Sequence, residues 1–295
     1  MLDVLVYFHI PRTAGTYFNH AVGDFLADGW LHHYNYTENS SLVQLQNFEI
    51  PAIKFRTEEQ DTQIKILSGH SIDSQSHNWL KTPKNPLYYS IVRDPVERLL
   101  SSFHYKRQKT LLLQDNSTFS NMMPQLSPEA RHLQKTHNSY NTLFEYCIDS
   151  NAEKNLQVKW LLKSFIEFNY WSDTFEEINQ TYIPDNSLFS DNQKTVPDWM
   201  YQHLDIDKQL IDNYIDKMWW ISDFNNLEED TRFICNRFDI MYNDVKPSKQ
   251  NSTKKVDPMW SIEEVKNQPD YQQLVDWLEL DYYLYDKVKL LKRPK

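Results

Sequence analysis

Arg12, Thr13, Ala14, Gly15, Thr16 and Tyr17 follow, after Pro11, the apolar run Val4–Ile10 in VLVYFHIPRTAGTYF. A guanidinium, two threonine hydroxyls and a glycine in so short a loop are the parts of an anion cradle. Backbone N–H groups converge on the anion, and a cation and hydroxyls complete the contacts. A second set is Arg93 and Ser101 in YYSIVRDPVERLLSSF, an arginine at the end of an apolar run and a serine about two helical turns later. An arginine fork and a hydroxyl together can grip a phosphate. A third is the ILSGH segment, where Gly69 and His70 close a short apolar run. Its imidazole would project at the edge from which the other two loops emerge.

These groups need a scaffold that brings three strand ends together, and the first 110 residues predict one. Leu2 to Ile10 reads as a buried strand and Gly15 to Leu26 as a helix. Ile50 to Phe55 and Ile64 to Ser68 read as short strands, and Leu87 to Val92 as a strand rich in aromatic and β-branched residues. Asp94-Pro95 opens a helix from Val96 to Lys109, with proline where its missing N–H costs nothing. Repeated β-α units imply a central parallel sheet with helices on both faces, an α/β fold of P-loop-like, three-layer type. Ligands in such sheets bind beyond the carboxyl ends of the strands. Residues 110–140 read as a polar excursion, followed by helices at 140–149 and 153–168 and a loop-rich stretch at 170–205. Helices at 206–216 and 225–237 flank a short strand, Met218 to Ser222; a polar basic loop spans 244–258, and helices at 261–268 and 270–291 close the chain. Without a repeat or linker, the 295 residues read as one domain: a 1–110 ligand-binding core, a 110–205 insertion expected to form the wall for a second substrate, and a 206–295 C-terminal part with a helical end.

Composition narrows the chemistry. A formal charge of -10 disfavours a nucleic-acid partner, which needs a basic face. No run reaches the roughly 18 apolar residues of a membrane span. MLDVLVYFHIPR has neither a basic n-region nor a cleavage site, and Cys147 and Cys235 are too few for a disulfide scaffold, so a cytoplasmic protein is expected. The chain has 4 glycines, where average usage of about 7% would give roughly twenty. Each is therefore expected where backbone geometry or close approach demands it.

A phosphoryl-transfer P-loop would show GxxxxGK[ST] and a later carboxylate for Mg²⁺. Here the cation precedes the glycine and the loop is too short to wrap a triphosphate, which points to one terminal phosphate held without a metal. HIPRTAGTYF and SIVRDPVERLLSSF together resemble the 5′-phosphosulfate loop and 3′-phosphate motif of sulfotransferases that use 3′-phosphoadenosine 5′-phosphosulfate (PAPS). The likeness is to the carbohydrate group that includes heparan sulfate 2-O- and 6-O-sulfotransferases, with motifs of the form PKTxxTxF and RDPIERLVSxY. It covers residues 1–110 and reaches the rest in outline.

The resemblance implies a role for each residue. Arg12, Thr13, Ala14, Gly15, Thr16 and Tyr17 would surround the 5′-phosphosulfate, and Arg93 and Ser101 would hold the 3′-phosphate. Lys254, with Lys255 as fallback, would lie in a second PAPS loop, and His70 would be the base. The acceptor would be a hydroxyl, on a glycan for choice. Arg12 stands where most of the family has lysine; tyrosylprotein sulfotransferases look similar in carrying arginine there. An arginine stabilises a leaving phosphate by charge and does not readily give up a proton. His77, His104 and the tryptophans Trp79, Trp171 and Trp199 are candidates for lining an acceptor cleft, Arg98 for a ligand role, and Glu97 for an alternative base, although the family's pattern has that position face structure. Other readings are sulfation of a protein tyrosine or small alcohol, a nucleotide kinase, and a non-catalytic binding protein. The sequence does not define an oligomeric state.

Overall fold

The computed structural model describes residues 2–22, 30–32, 36–38, 41–43, 58, 62, 64–69, 72, 74, 76–114, 140–149, 154–165, 206–244 and 259–294. Strand β1 (Asp3–Phe8) has the sequence DVLVYF and is buried from Val4 onward, as a strand covered on both faces should be. It pairs in parallel with β5 (Ile66–Gly69) on one side and β6 (Asn85–Val92) on the other. Outside β5 lies β2 (Trp30–His32), and outside β6 lies β7 (Trp220–Asp223), both parallel to their neighbours. The result is a five-stranded parallel sheet in the order β2-β5-β1-β6-β7. A separate antiparallel pair joins β3 (Tyr36–Glu38) to β4 (Ser41–Val43).

Side-chain alternation along β1 assigns each face its cover. Leu5 and Tyr7 pack against Phe18 and Ala21 of α1 (Gly15–Ala21) and Ile234 and Cys235 of α6 (Leu227–Arg237). Val4, Val6 and Phe8 point the other way, into a cluster with Leu67 and Leu80. Val92 and Ile221 pack on α4 (Leu156–Lys163), α5 (Lys208–Ile215) and α9 (Glu279–Leu290), through Val158, Ile211 and Leu284. Beside the sheet, Leu99 and Phe103 of α2 (Pro95–Gln114) pack on α3 (Leu143–Asp149) and α8 (Tyr271–Trp277). Full burial of each such side chain stabilises the fold by roughly 1.5–3 kcal/mol, so these clusters hold the strand ends in register. The strand β7 makes the C-terminal third part of the same sheet.

From β1 the chain goes to β2 and β5 on one side and then crosses to β6 on the other. The carboxyl ends of β1 and β6 therefore flank a topological switch point, where a crevice opens in sheets of this kind.

Several elements differ from expectation. The helix after Asp94 runs to Gln114, so the excursion starts later than 110; Leu111, Leu112 and Leu113 are good helix formers and extend it. The segment 270–291 is two helices, α8 and α9, broken at buried Leu278, whose backbone (φ -100°, ψ 20°) leaves the helical range. The short α7 (Ile262–Lys266) precedes them, started by a Ser261–Glu264 capping box. The expected strand at 50–55, residues 115–139 and 166–205 of the expected 110–205 insertion, and most of the basic loop at 244–258 lie outside the described residues.

Candidate functional site

The loop between β1 and α1 is held by steric fit. Arg12 and Ala14 take left-handed backbone conformations, with φ of 68° and 75°. Such angles in non-glycine residues cost on the order of 1–3 kcal/mol each and cluster at ligand clamps. Left-handed residues recurring in a turn aim backbone N–H groups at a common concavity. The Thr13 hydroxyl donates to the Ile10 carbonyl at 2.8 Å and closes the turn from within. Gly15 is required by its neighbour: a Cβ there would sit 1.8 Å from Nε2 of His9. The His9 ring in turn stacks on Tyr7 with centroids 5.7 Å apart.

The second motif is built on hydrogen bonds. Asp94 accepts the Glu97 N–H at 3.0 Å and so starts α2 at Pro95, with only Arg93 and Asp94 between it and β6. The Arg93 guanidinium lies 4.4 Å from the centroid of the Phe224 ring and donates from Nε and Nη2 to Oε2 of Glu97, at 3.3 and 3.2 Å. Two turns into α2, the Ser101 hydroxyl accepts from Nη2 of Arg12 at 3.2 Å. The Arg12 guanidinium also lies over the Tyr105 ring, 4.5 Å from its centroid.

The two motifs thus meet. Arg12, Arg93, Glu97, Ser101 and His104 line one cleft of about 300 Å³, together with Leu100 and Ile262. His104 follows Ser101 by one turn on the same face of α2. Burial, and then the nearby Arg107 cation, pull its pKa down to about 4, so its imidazole is neutral near pH 7. Two guanidiniums, a hydroxyl and a neutral imidazole suit a phosphate ester; Glu97 restrains Arg93 and opposes excess negative charge.

The remaining sequence candidates divide. Thr13 and Ala14 form the loop that follows Arg12, and Gly15 and Thr16 the first turn of α1. Tyr17 belongs to the core between α1 and α6, its hydroxyl 2.8 Å from that of Tyr242, and burial raises its pKa. Arg98 is fully buried and serves the interior. His77 is engaged with the Ser74 carbonyl at 2.8 Å through Nδ1. His70, Lys254, Lys255, Trp171 and Trp199 lie outside the described residues. The last described residue before His70 is Gly69, paired with Phe8 at the carboxyl end of β1. Glu97, whose place in the family's pattern faces structure, lines the cleft instead. Its position four residues after Arg93 was the signal, since that spacing on one helix face brings opposite charges together. Among the described residues no group of three His, Cys, Asp or Glu side chains is arranged to hold a metal ion. No helix among them is long and apolar enough to cross a membrane.

No family model matches the chain. Over 106 residues, 35% of its length, it is 29% identical to heparan sulfate 2-O-sulfotransferase 1 of Homo sapiens and of Gallus gallus. The corresponding enzyme of Cricetulus griseus is 30% identical over the same extent. This chain is related in sequence to carbohydrate sulfotransferases. The relationship spans 29% of the length of each relative. The parallel α/β architecture is consistent with a sulfotransferase fold.

Proposed function

We propose that the protein is a PAPS-dependent O-sulfotransferase of P-loop-like fold, acting on a saccharide hydroxyl. The observation that carries this reading is the meeting of Arg12, Arg93 and Ser101, from two separate strand ends, around one cleft at the switch point of the sheet. A nucleotide with phosphates at both its 5′ and 3′ ends would engage both motifs at once. The relation to carbohydrate sulfotransferases supports sulfuryl rather than phosphoryl transfer, and so does a short loop with its cation ahead of Gly15.

In this mechanism the β1–α1 loop, with the Thr13–Thr16 backbone, holds the 5′-phosphosulfate while Arg93 and Ser101 hold the 3′-phosphate. Lys254 adds a contact from the C-terminal part, and the parts of the 110–205 insertion outside α2, α3 and α4 supply the acceptor wall. The acceptor oxygen attacks sulfur in line as His70 takes its proton. The bond between sulfur and the bridging phosphate oxygen breaks, and its electron pair leaves with 3′-phosphoadenosine 5′-phosphate. Arg12 stabilises the charge that develops on that phosphate. No metal is needed, because two guanidiniums supply the positive charge and the rest of catalysis is alignment of donor and acceptor. The test is transfer of labelled sulfate from PAPS to a panel of desulfated glycosaminoglycans and other glycans. Labelled glycan with wild type and a loss of at least about 100-fold with His70→Ala are expected. Mg²⁺-dependent phosphate transfer from ATP, with no label moved from PAPS, would overturn the reading.

A further inference from the structure

The backbone of Arg93 is gripped on both sides by a single side chain. The Gln157 amide accepts the Arg93 N–H at 2.8 Å and donates to the Arg93 carbonyl at 2.9 Å. At the end of β6 these two groups leave the sheet, and a buried peptide group needs partners. Gln157, itself fully buried, supplies both and acts as a one-residue extension of the sheet. It stands in the first turn of α4, which is fixed in turn from α9. Asp281 accepts the N–H groups of Gln157 and Val158 at 3.3 and 2.9 Å, and its own N–H donates to Oδ1 of Asn155 at 3.2 Å. Asn155 has a left-handed φ of 51° and does not cap α4 with its side chain. The carboxylate from α9 does that work and suits the positive end of the helix. Arg98, also fully buried, favours the charged form of Asp281 against the effect of burial.

We propose that Gln157 is a positioning residue for Arg93, and that through it the protein selects a nucleotide carrying a 3′-phosphate. This rests on the function proposed above. The Arg93 fork must meet phosphate oxygens within a few tenths of an ångström to form charge-assisted pairs. Its aim is inherited from a backbone that the sheet no longer holds, so the amide of Gln157 fixes where the fork begins. Glu97 and Phe224 then hold the guanidinium. Asp281 acts one step further back, through Gln157.

The experiment is calorimetric titration of adenosine 3′,5′-bisphosphate and adenosine 5′-monophosphate into wild type, Gln157→Leu, Arg93→Ala and the double variant. Wild type should prefer the bisphosphate. Gln157→Leu should cut that preference about 10-fold while monophosphate affinity stays within about 2-fold, and should cost nothing further once Arg93 is alanine. A purely structural role predicts equal weakening of both ligands, which would overturn the proposal. So would a preference that survives Gln157→Leu but not Arg93→Ala. A wild type with no preference would overturn the functional reading beneath it, and the proposal with it. If Gln157→Leu does not fold, Gln157→Glu replaces it, keeping the acceptor for the Arg93 N–H and losing the donor to its carbonyl. A preference reduced about 3-fold then supports the proposal, and an unchanged one overturns it.

Discussion

The two anchors of the cleft are built in opposite ways. The β1–α1 loop is local: Arg12 and Ala14 carry the backbone strain, Thr13 ties back to Ile10, and Gly15 makes room for His9, all within a few residues. The Arg93 anchor depends on distant partners, with Gln157 64 residues away and Asp281 a further 124 beyond it. A strained loop is set by what fits beside it; a strand end is set by what pairs with it. The first should fail by steric insult and the second by loss of a polar partner.

Breaking the second anchor should have the largest effect. Arg93→Ala removes a guanidinium from the cleft and should weaken adenosine 3′,5′-bisphosphate about 100-fold by calorimetry, with little change in melting temperature. Equal binding by the variant would place the phosphate elsewhere. The first anchor should fail differently. Gly15→Ala forces a methyl against the His9 ring and should destabilise the fold by about 1–3 kcal/mol, read as a lower melting temperature. Adding His9→Ala to that variant should restore part of the loss; no recovery would mean that Gly15 matters for some reason other than His9.

The buried and cleft-lining titratable groups sharpen the contrast through pH. Burial raises the Asp281 pKa from 3.8 to about 6, so the fold favours its protonated form. Between those values the folded state holds a proton that the unfolded chain has lost, and the Asp281 contribution falls as pH rises from about 4 to about 6 and is level above. His104 slopes the other way. Its pKa is depressed from 6.5 to about 4, so its contribution is complete above 6.5 and is lost as pH falls toward 4. Urea midpoints for wild type, Asp281→Asn and His104→Gln across pH 4–7 should show differences of opposite slope; parallel curves would contradict both environments. The smallest effect is expected at Glu97. Its pair with Arg93 is partly exposed, with side chains 22% and 36% accessible, and Glu97→Gln removes a negative charge from the cleft proposed to take the phosphate. Bisphosphate affinity should rise about 2- to 5-fold; a fall would mean that Glu97 aims Arg93 more than it repels the ligand.

The same contrast explains what the sequence made legible. Strands β1, β5, β6 and β7 announce themselves as short apolar runs closed by polar or proline-containing turns, and their parallel pairing follows from the helices between them. Arg12, Arg93 and Ser101 could be named in advance because their spacing within each motif is short. The break at Leu278 could not, since good helix formers run through it and tertiary packing decides the matter. Gln157 had no local mark at all: an amide in an apolar helix acquires its role only when the end of β6 arrives beside it. Tyr17 shows the converse: motif position marked it as part of the anion loop, while its aromatic ring, on the inner face of α1, is buried by the sheet and leaves its backbone N–H as the group that could serve a ligand.

On the proposed function, both anchors serve one nucleotide phosphorylated at its 5′ and 3′ positions. Calorimetry of wild-type protein with adenosine 3′,5′-bisphosphate against ATP, with and without Mg²⁺, puts this to the test. Metal-independent binding of the bisphosphate is expected, at least about 10-fold tighter than ATP, with the difference removed by Arg93→Ala. Tighter binding of ATP in the presence of Mg²⁺, with none of the bisphosphate, would contradict it.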